Sequence, residues 1–176
     1  MIEDPHSLVA NFASTAGNIL SLGDYSGAAG ETITMGVNMD NQDVVSGVQF
    51  DVVFPEGVTL VENTIALTDR ASANHILVSQ MIDENTLRVL TYAMPLGDFS
   101  GTTGDVVTFQ VVLGENEGTY PTYIVNPVLS DYMGTILSVS TVDGTITIGG
   151  GVTPTYYNIA ATVNPAEAGT VAGAGE

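Results

Sequence analysis

The sequence predicts an all-β protein, a sandwich or jelly roll built from about nine short strands. Apolar and polar residues alternate with a period of two over much of the chain, which is typical of strands that bury one face. Turn-forming Gly, Asn, Asp and Pro residues separate these segments at short, regular intervals. Strands and helices do not alternate along the chain, so a parallel sheet of βαβ units is not expected.

The alternation is clearest in two neighbouring segments, residues 31–39 and 45–54. In the second segment, Val48, Phe50 and Val52 fall on one face and the polar Gln49 and Asp51 fall on the other. An Asn/Asp-rich stretch separates the two segments and carries turn chemistry. The pair therefore predicts two strands of a sheet with one buried face.

The same reading assigns the remaining elements. Residues 68–74 are expected to be irregular or helical, and residues 97–104 to be a loop. The predicted strands are residues 18–25, 31–39, 45–54, 58–67, 75–82, 86–94, 106–113, 119–128 and 142–148.

The order of these parts resembles a cohesin domain. A G-[ED]-T turn and strand is followed by a G-x-x-F-[DE]-x-x-[FY]-P strand and then by G-V-x-L; residues 104–112 and 142–148 resemble the family's later strands. The resemblance covers about residues 18–149. It is strongest to cohesin-like modules in surface proteins of gut bacteria. It implies a cohesin-like β-sandwich with jelly-roll topology. The residues that carry the first motifs are Gly30, Glu31, Thr32, Gly47, Phe50, Phe54, Pro55, Gly57, Val58 and Leu60.

Charge and composition exclude several classes of function. The chain has 20 acidic residues and two Arg, for a formal charge of −18. Binding to nucleic acid or to an anionic membrane surface requires clustered cations, so neither is expected. There is no Cys for disulfides or thiolate chemistry.

The ends of the chain predict a modular protein. Residues 1–17 are expected to form a tail without the features of a signal peptide, so a secreted form would carry its signal upstream. Residues 150–155 read as a linker. Residues 156–176 resemble the start of a bacterial surface repeat of the InlB-B type. The expected location is therefore extracellular or at the cell surface.

Few residues of the chain suggest catalysis or metal binding. Neither His6 nor His75 belongs to a recognisable catalytic motif, and no acidic pair is distinctive. The module is therefore expected to be non-catalytic and to need no cofactor. The loop of residues 38–43 is rich in side-chain oxygens, which calcium prefers as ligands, so weak calcium binding is one interpretation. Turn formation by the same side chains is the preferred one. The loop residues concerned are Asn38, Asp40, Asn41 and Asp43.

The cohesin resemblance implies a binding site on one sheet face, formed by the third, fifth and sixth predicted strands. The implied partner is a protein, with a dockerin-like module as the candidate. The chain departs from cellulosomal cohesins at these positions. Those cohesins use an Asn and an Asp on the third strand, where this chain has about Gly47 and Gln49. They also have an acidic residue after the sixth strand, where this chain has about Met94. An alternative is that Leu90, Tyr92 and Met94 fill the core. The candidate partner-binding residues are Gln49, Asp51, His75, Leu77, Arg88, Leu90, Tyr92 and Met94.

Two further functions stay open from sequence. A carbohydrate-binding module would use flat aromatic platforms, and Tyr92, Tyr120, Tyr123 and Tyr132 are candidates in a chain without Trp. A structural spacer in an adhesin would be polar on all sides. A row of exposed aromatic residues would favour sugar binding, and a flat apolar sheet face would favour a protein partner.

Overall fold

The computed structural model describes residues 17–149, which form thirteen β-strands and no helix. The prediction of an all-β sandwich is confirmed. No helix long and apolar enough to cross a membrane occurs in this part of the chain. The predicted tail, linker and surface repeat, apart from Gly17, lie outside the described residues.

The strands form two sheets. The first sheet has the order β12-β1-β3-β9-β5, with β6 also paired to β9; the second has the order β2-β13-β10-β4-β8-β7, with β11 also paired to β10. The strands are β1 (Asn18–Leu22), β2 (Asp24–Gly27), β3 (Thr32–Asp40), β4 (Gly47–Val53), β5 (Thr59–Leu60), β6 (Ala66–Leu67), β7 (His75–Met81), β8 (Thr86–Ala93), β9 (Asp105–Val112), β10 (Gly118–Ser130), β11 (Ile136–Leu137), β12 (Val139–Val142) and β13 (Gly144–Ile148).

The core lies between the two sheets and follows from the alternation in the sequence. Successive side chains of a strand point to opposite faces, so every second residue of a half-buried strand enters the core. The ring of Phe109 on β9 meets the ring of Phe54 edge-on, with centroids 5.8 Å apart. The fully buried side chains of the central strands are Met35, Val37 and Met39 on β3, Phe50 and Val52 on β4, Leu87 and Val89 on β8, and Val107 and Val111 on β9.

The predicted strand map was too coarse in several places. The strand predicted at residues 18–25 is two strands in different sheets, because the chain crosses between the sheets at Gly23. The crossing lies against Gly144, where an added Cβ would be 2.1 Å from the Gly23 carbonyl oxygen. Position 144 therefore requires a glycine. The strand predicted at residues 58–67 is two short pieces, β5 and β6, and residues 68–74 contain turns rather than a helix.

Arg70 holds the loop after β8 against the end of β3. Its guanidinium donates hydrogen bonds to the carbonyl oxygens of Ser100, Met39 and Gly104, each at 2.7 Å, and to Oδ1 of Asn41 at 2.6 Å. These acceptors come from segments that are distant in sequence. One planar cation therefore joins acceptors from the end of β3 and from the loop after β8.

We expect Arg70→Ala to lower the free energy of unfolding by more than about 2 kcal/mol, because several part-buried oxygen acceptors lose a charged donor at once. Urea denaturation followed by circular dichroism measures this change. Asp69→Ala, at the exposed neighbouring position, is the matched control and should be close to wild type. A loss below about 0.5 kcal/mol for Arg70→Ala, the range typical of surface substitutions, would contradict this role.

Candidate functional site

The outer face of the second sheet, formed by β10, β4, β8 and β7, is the candidate site. On β8 the alternation settles which residues face outward: Leu87, Val89 and Thr91 are fully buried, whereas Tyr92 is exposed. Leu90 and Arg88 share the parity of Tyr92 and are partly accessible. The alternative in which Leu90 and Tyr92 fill the core is therefore wrong.

The strand register brings residues of three strands together in rows across this face. Directly opposed residues of antiparallel strands point to the same side, so each row lies on one surface. The rows across β7, β8 and β4 are Ile76, Tyr92 and Gly47; Val78, Leu90 and Gln49; and Gln80, Arg88 and Asp51.

Two of these rows form an uncharged apolar strip, which we define as Ile76, Val78, Leu90 and Tyr92. The side chains of Ile76, Val78 and Tyr92 are 41%, 50% and 37% exposed. Contiguous exposed apolar patches often mark interaction sites on a soluble protein. The strip is the flat apolar sheet face that favours a protein partner.

A buried carboxylate lies beside the strip. Asp51 is fully buried on β4, and Arg88 on β8 donates to both of its oxygens at 2.7 Å. The Nδ2 atom of Asn126 on β10 donates to the same carboxylate at 2.8 Å. The hydrogen bonds from Arg88 lower the pKa of Asp51 below its ordinary value of 3.8; burial opposes this shift and Asn126 adds to it.

Asn126 reaches Asp51 because β10 is irregular at that point. The register of β10 against β4 shifts between Val125 and Val128, and Asn126 has a φ of 53°. Asn tolerates this left-handed conformation better than most residues. Pro127 follows and cannot donate to a ladder, which is typical of a bulge. The Asn-Pro pair inside an otherwise strand-like segment is the one signal by which the sequence could have indicated a bulge at this position.

The structure corrects the placement of two predicted site residues. His75 and Leu77 lie on the inward side of β7, opposite Ala93 and Thr91, and not on the face that holds Arg88. The His75 ring packs against Phe99 with centroids 4.3 Å apart, and burial lowers the pKa of His75. Leu77 packs against the core.

The other predicted residues lie on the outer face or at its end. Gln49 and Asp51 project outward from β4, and Arg88, Leu90 and Tyr92 project outward from β8. Met94 follows β8 and is 66% exposed at the end of the sheet.

Sequence reasoning missed the residues that β7 and β10 contribute to this face. The β7 sequence HILVSQM has apolar residues at both parities, so alternation alone cannot say which set faces outward. Only the pairing with β8 shows that Ile76 and Val78 do. On β10, the bulge changes the parity between Val125 and Val128, so a strict period of two fails there.

The oxygen-rich loop before β4 uses its side chains in turn contacts. Asn41 donates to the Asp43 carbonyl oxygen at 2.8 Å, and the Asp43 carboxylate accepts from Asn18 at 2.9 Å. The first contact is local, as expected of an Asx residue in a turn, and the second ties the loop to Asn18 on β1. Among residues 17–149, no group of three or more His, Cys, Asp or Glu side chains is placed to hold a metal ion.

Comparison with known proteins identifies the family. The family model described as the cohesin domain matches residues 19–148. The chain therefore belongs to the cohesin family. No curated protein matches it by sequence.

Solved structures of cohesins share the fold at low sequence identity. The seventh ScaB type I cohesin of Pseudobacteroides cellulosolvens is 12% identical, with a TM-score of 0.68 over 81% of this chain and 99% of that one. A non-cellulosomal cohesin of the archaeon Archaeoglobus fulgidus is 16% identical, with a TM-score of 0.65 over 76% and 92%. The sixth cohesin of scaffoldin B from Acetivibrio cellulolyticus, solved with a Cel5 dockerin, is 15% identical, with a TM-score of 0.65 over 76% and 99%.

Family membership confirms the predictions that the chain is a recognition module and that it is not an enzyme. Cohesins are non-catalytic modules that bind other proteins, so the chain is a recognition module and not an enzyme. Modules of this family are typically extracellular or at the cell surface. The prediction of a cohesin-like sandwich is likewise confirmed.

We expect Asp51→Asn to destabilise the protein near neutral pH and progressively less in acid. Because the folded-state pKa of Asp51 is lowered, its stabilising effect is complete above the unfolded-state pKa of about 3.9 and disappears as the pH falls through the folded-state value. Urea unfolding of both proteins at about pH 7 and about pH 3 measures the change. Glu62→Gln, at an exposed position, is the control. A difference between Asp51→Asn and wild type that is the same at both pH values would contradict the expectation.

Proposed function

We propose that this cohesin module binds a dockerin-like protein through the outer face of its second sheet. The single observation that carries the proposal is the apolar strip of Ile76, Val78, Leu90 and Tyr92. Of the residues predicted from sequence, Gln49, Asp51, Arg88, Leu90, Tyr92 and Met94 belong to the proposed site, and His75 and Leu77 support it from the inward side.

The charge distribution supports a protein partner at this face. The chain has a formal charge of −18, yet the strip has no charged side chain, and the adjacent Asp51 is neutralised by Arg88. Depletion of charge at the centre with polar groups around it is typical of protein interfaces. A partner with a neutral or basic rim would complement the acidic remainder of the surface.

Two shallow depressions at the end of the strip support side-chain anchoring. One, of about 200 Å³, lies over Gly47 between Leu90, Tyr92 and Val128. The other, of about 170 Å³, lies between Tyr92, Leu96 and Tyr132. Interface hot spots commonly consist of one large side chain that fills such a depression. Tyr92 lines both, so it is the expected centre of the contact.

The arrangement of the tyrosines gives less support to sugar binding. Tyr92 lies in the row of Gly47, whereas Tyr123 lies opposite Val53 at the other end of β4. Six residues of strand separate these rows, which is about 20 Å. Tyr120 packs partly against the core. Tyr132 flanks one depression together with Tyr92, but two rings around a depression are not a row across the sheet. The four tyrosines therefore do not form one continuous platform, and a spacer role does not account for the apolar strip.

We also propose that the module acts outside the cell, at the bacterial surface or in a secreted assembly. This proposal rests on the family's usual location.

We expect Leu90→Glu to weaken capture of a dockerin-like partner at least tenfold, or about 1.4 kcal/mol, because it places a charge in the centre of the strip. The measurement is biolayer interferometry against a panel of calcium-loaded dockerin modules, with wild type identifying the binding member. Val142→Glu, at an exposed position on the first sheet, is the matched control and should bind as wild type does.

Chelation provides a second readout, since dockerins fold around calcium and capture should be lost with a chelator. Equal binding by Leu90→Glu and wild type would reject the face. Retention of polysaccharide in place of any dockerin would favour the carbohydrate-binding alternative.

A further inference from the structure

Strand β7 leaves one edge of the second sheet open. It pairs with β8 through seven consecutive residues, and no strand of residues 17–149 lies on its other side. Residues 75–82, HILVSQMI, contain no charged residue, Gly or Pro. Natural proteins usually protect a long edge strand with such residues or with a bulge. The other edge strands are shorter: β2 and β12 have four residues each, and β5 and β6 have two each.

The hydrogen bonds at both ends of β7 identify which backbone groups are free. The Asn74 carbonyl accepts from the Met94 amide, and the Ile82 amide donates to the Thr86 carbonyl. In an antiparallel pair, hydrogen-bonded residues alternate with residues whose N–H and C=O point away from the partner strand. Even-numbered residues of β7 therefore bond to β8. The backbone groups of Leu77, Ser79 and Met81 point out of the open edge.

We infer that β7 pairs antiparallel with β7 of a second copy of this chain, with Ser79 opposite Ser79 at the two-fold axis. Leu77 of each copy then lies opposite Met81 of the other, and each of these pairs exchanges two backbone hydrogen bonds. This interface is isologous, as expected for a two-fold dimer. It joins two sheets through their open edges, in the manner of strand addition.

The side chains of β7 complement themselves in this register. On the outer side, Ile76 lies opposite Ile82 of the second copy, and Val78 lies opposite Gln80. On the inner side, Leu77 meets Met81 beside a groove of about 520 Å³ that both residues line together with Leu60 and Ile65. Aliphatic pairs of this kind stabilise neighbouring strands.

Charge limits the strength of the dimer without blocking it locally. In this register Asp83 lies opposite His75 of the second copy, so no like charges face each other across the edge. The two chains nevertheless repel each other through a formal charge of −18 each. The dimer is therefore weak, and screening by added salt strengthens it.

The dimer would extend the proposed function without depending on it. Ile76 and Val78 lie at the seam, so the apolar strips of the two copies become neighbours on one continuous sheet face. One dimer then presents two adjacent binding faces to its partners.

Sedimentation equilibrium of the full chain over a concentration series tests the inference. The apparent mass of wild type should rise from 18.2 kDa toward twice that value, and more steeply at high salt. Ser79→Pro should stay monomeric, because it removes an N–H at the two-fold axis and no bond to β8. Val78→Glu should also stay monomeric, because it places an extra negative charge at the seam.

Val142→Glu is the matched control, since Val142 is 52% exposed on edge strand β12 and Val78 is 50% exposed on β7. It should associate as wild type does. Circular dichroism establishes whether each variant is folded. If Ser79→Pro does not fold, Val78→Glu decides the result. A wild-type chain that stays monomeric at every concentration and salt level would overturn the inference, including the case in which the chain's own terminal residues cover the edge. Association unchanged by Val78→Glu, or lost equally with Val142→Glu, would also overturn it. None of these outcomes depends on dockerin capture.

Discussion

The register between β4 and β8 is the constraint on which the site depends. Side chains alternate between the core and the outer face, so a slip of one residue would exchange the two sets. The contact between Asp51 and Arg88 opposes such a slip. A slip of β8 would remove both hydrogen bonds from Arg88 and leave the buried carboxylate without its cation, at the cost of an unpaired buried charge. The same pair therefore fixes both Phe50 in the core and Leu90 on the surface.

Much of this arrangement could be predicted from the sequence, but only where one parity of a strand is polar. In β4, Gln49 and Asp51 mark the outer side, and in β8 Arg88 does so. Strand β7 lacks such a marker, because His75 and Leu77 are no more apolar than Ile76 and Val78. Which of its faces points outward depends on its pairing with β8, and the β7 sequence alone does not contain that register. The position of Asn126 is similar, because the bulge that turns it toward Asp51 appears only once β10 meets β4.

The distribution of charge reconciles solubility with recognition. A formal charge of −18 keeps copies of the protein apart at long range, while the strip and the edge of β7 are uncharged. Short-range apolar contact and backbone hydrogen bonding act only after the charges have been screened or complemented. A partner with basic groups at its rim meets this condition directly, and a second copy meets it at raised salt. The acidic surface thus selects between partners that the uncharged surfaces alone would accept equally.

The strip and the edge use different chemistry although both include β7. The strip contacts its partner through side chains, so its specificity depends on Leu90, Tyr92 and their neighbours. The edge recognises through the backbone groups of Leu77, Ser79 and Met81, which any extended chain of suitable register would satisfy. Side-chain identity on β7 therefore decides which extended chain fits: Ile76, Leu77 and Val78 are complemented by Ile82, Met81 and Gln80 of the same sequence. Occupation of the edge therefore covers part of Ile76 and Val78 and leaves Leu90 and Tyr92, one strand further in, accessible.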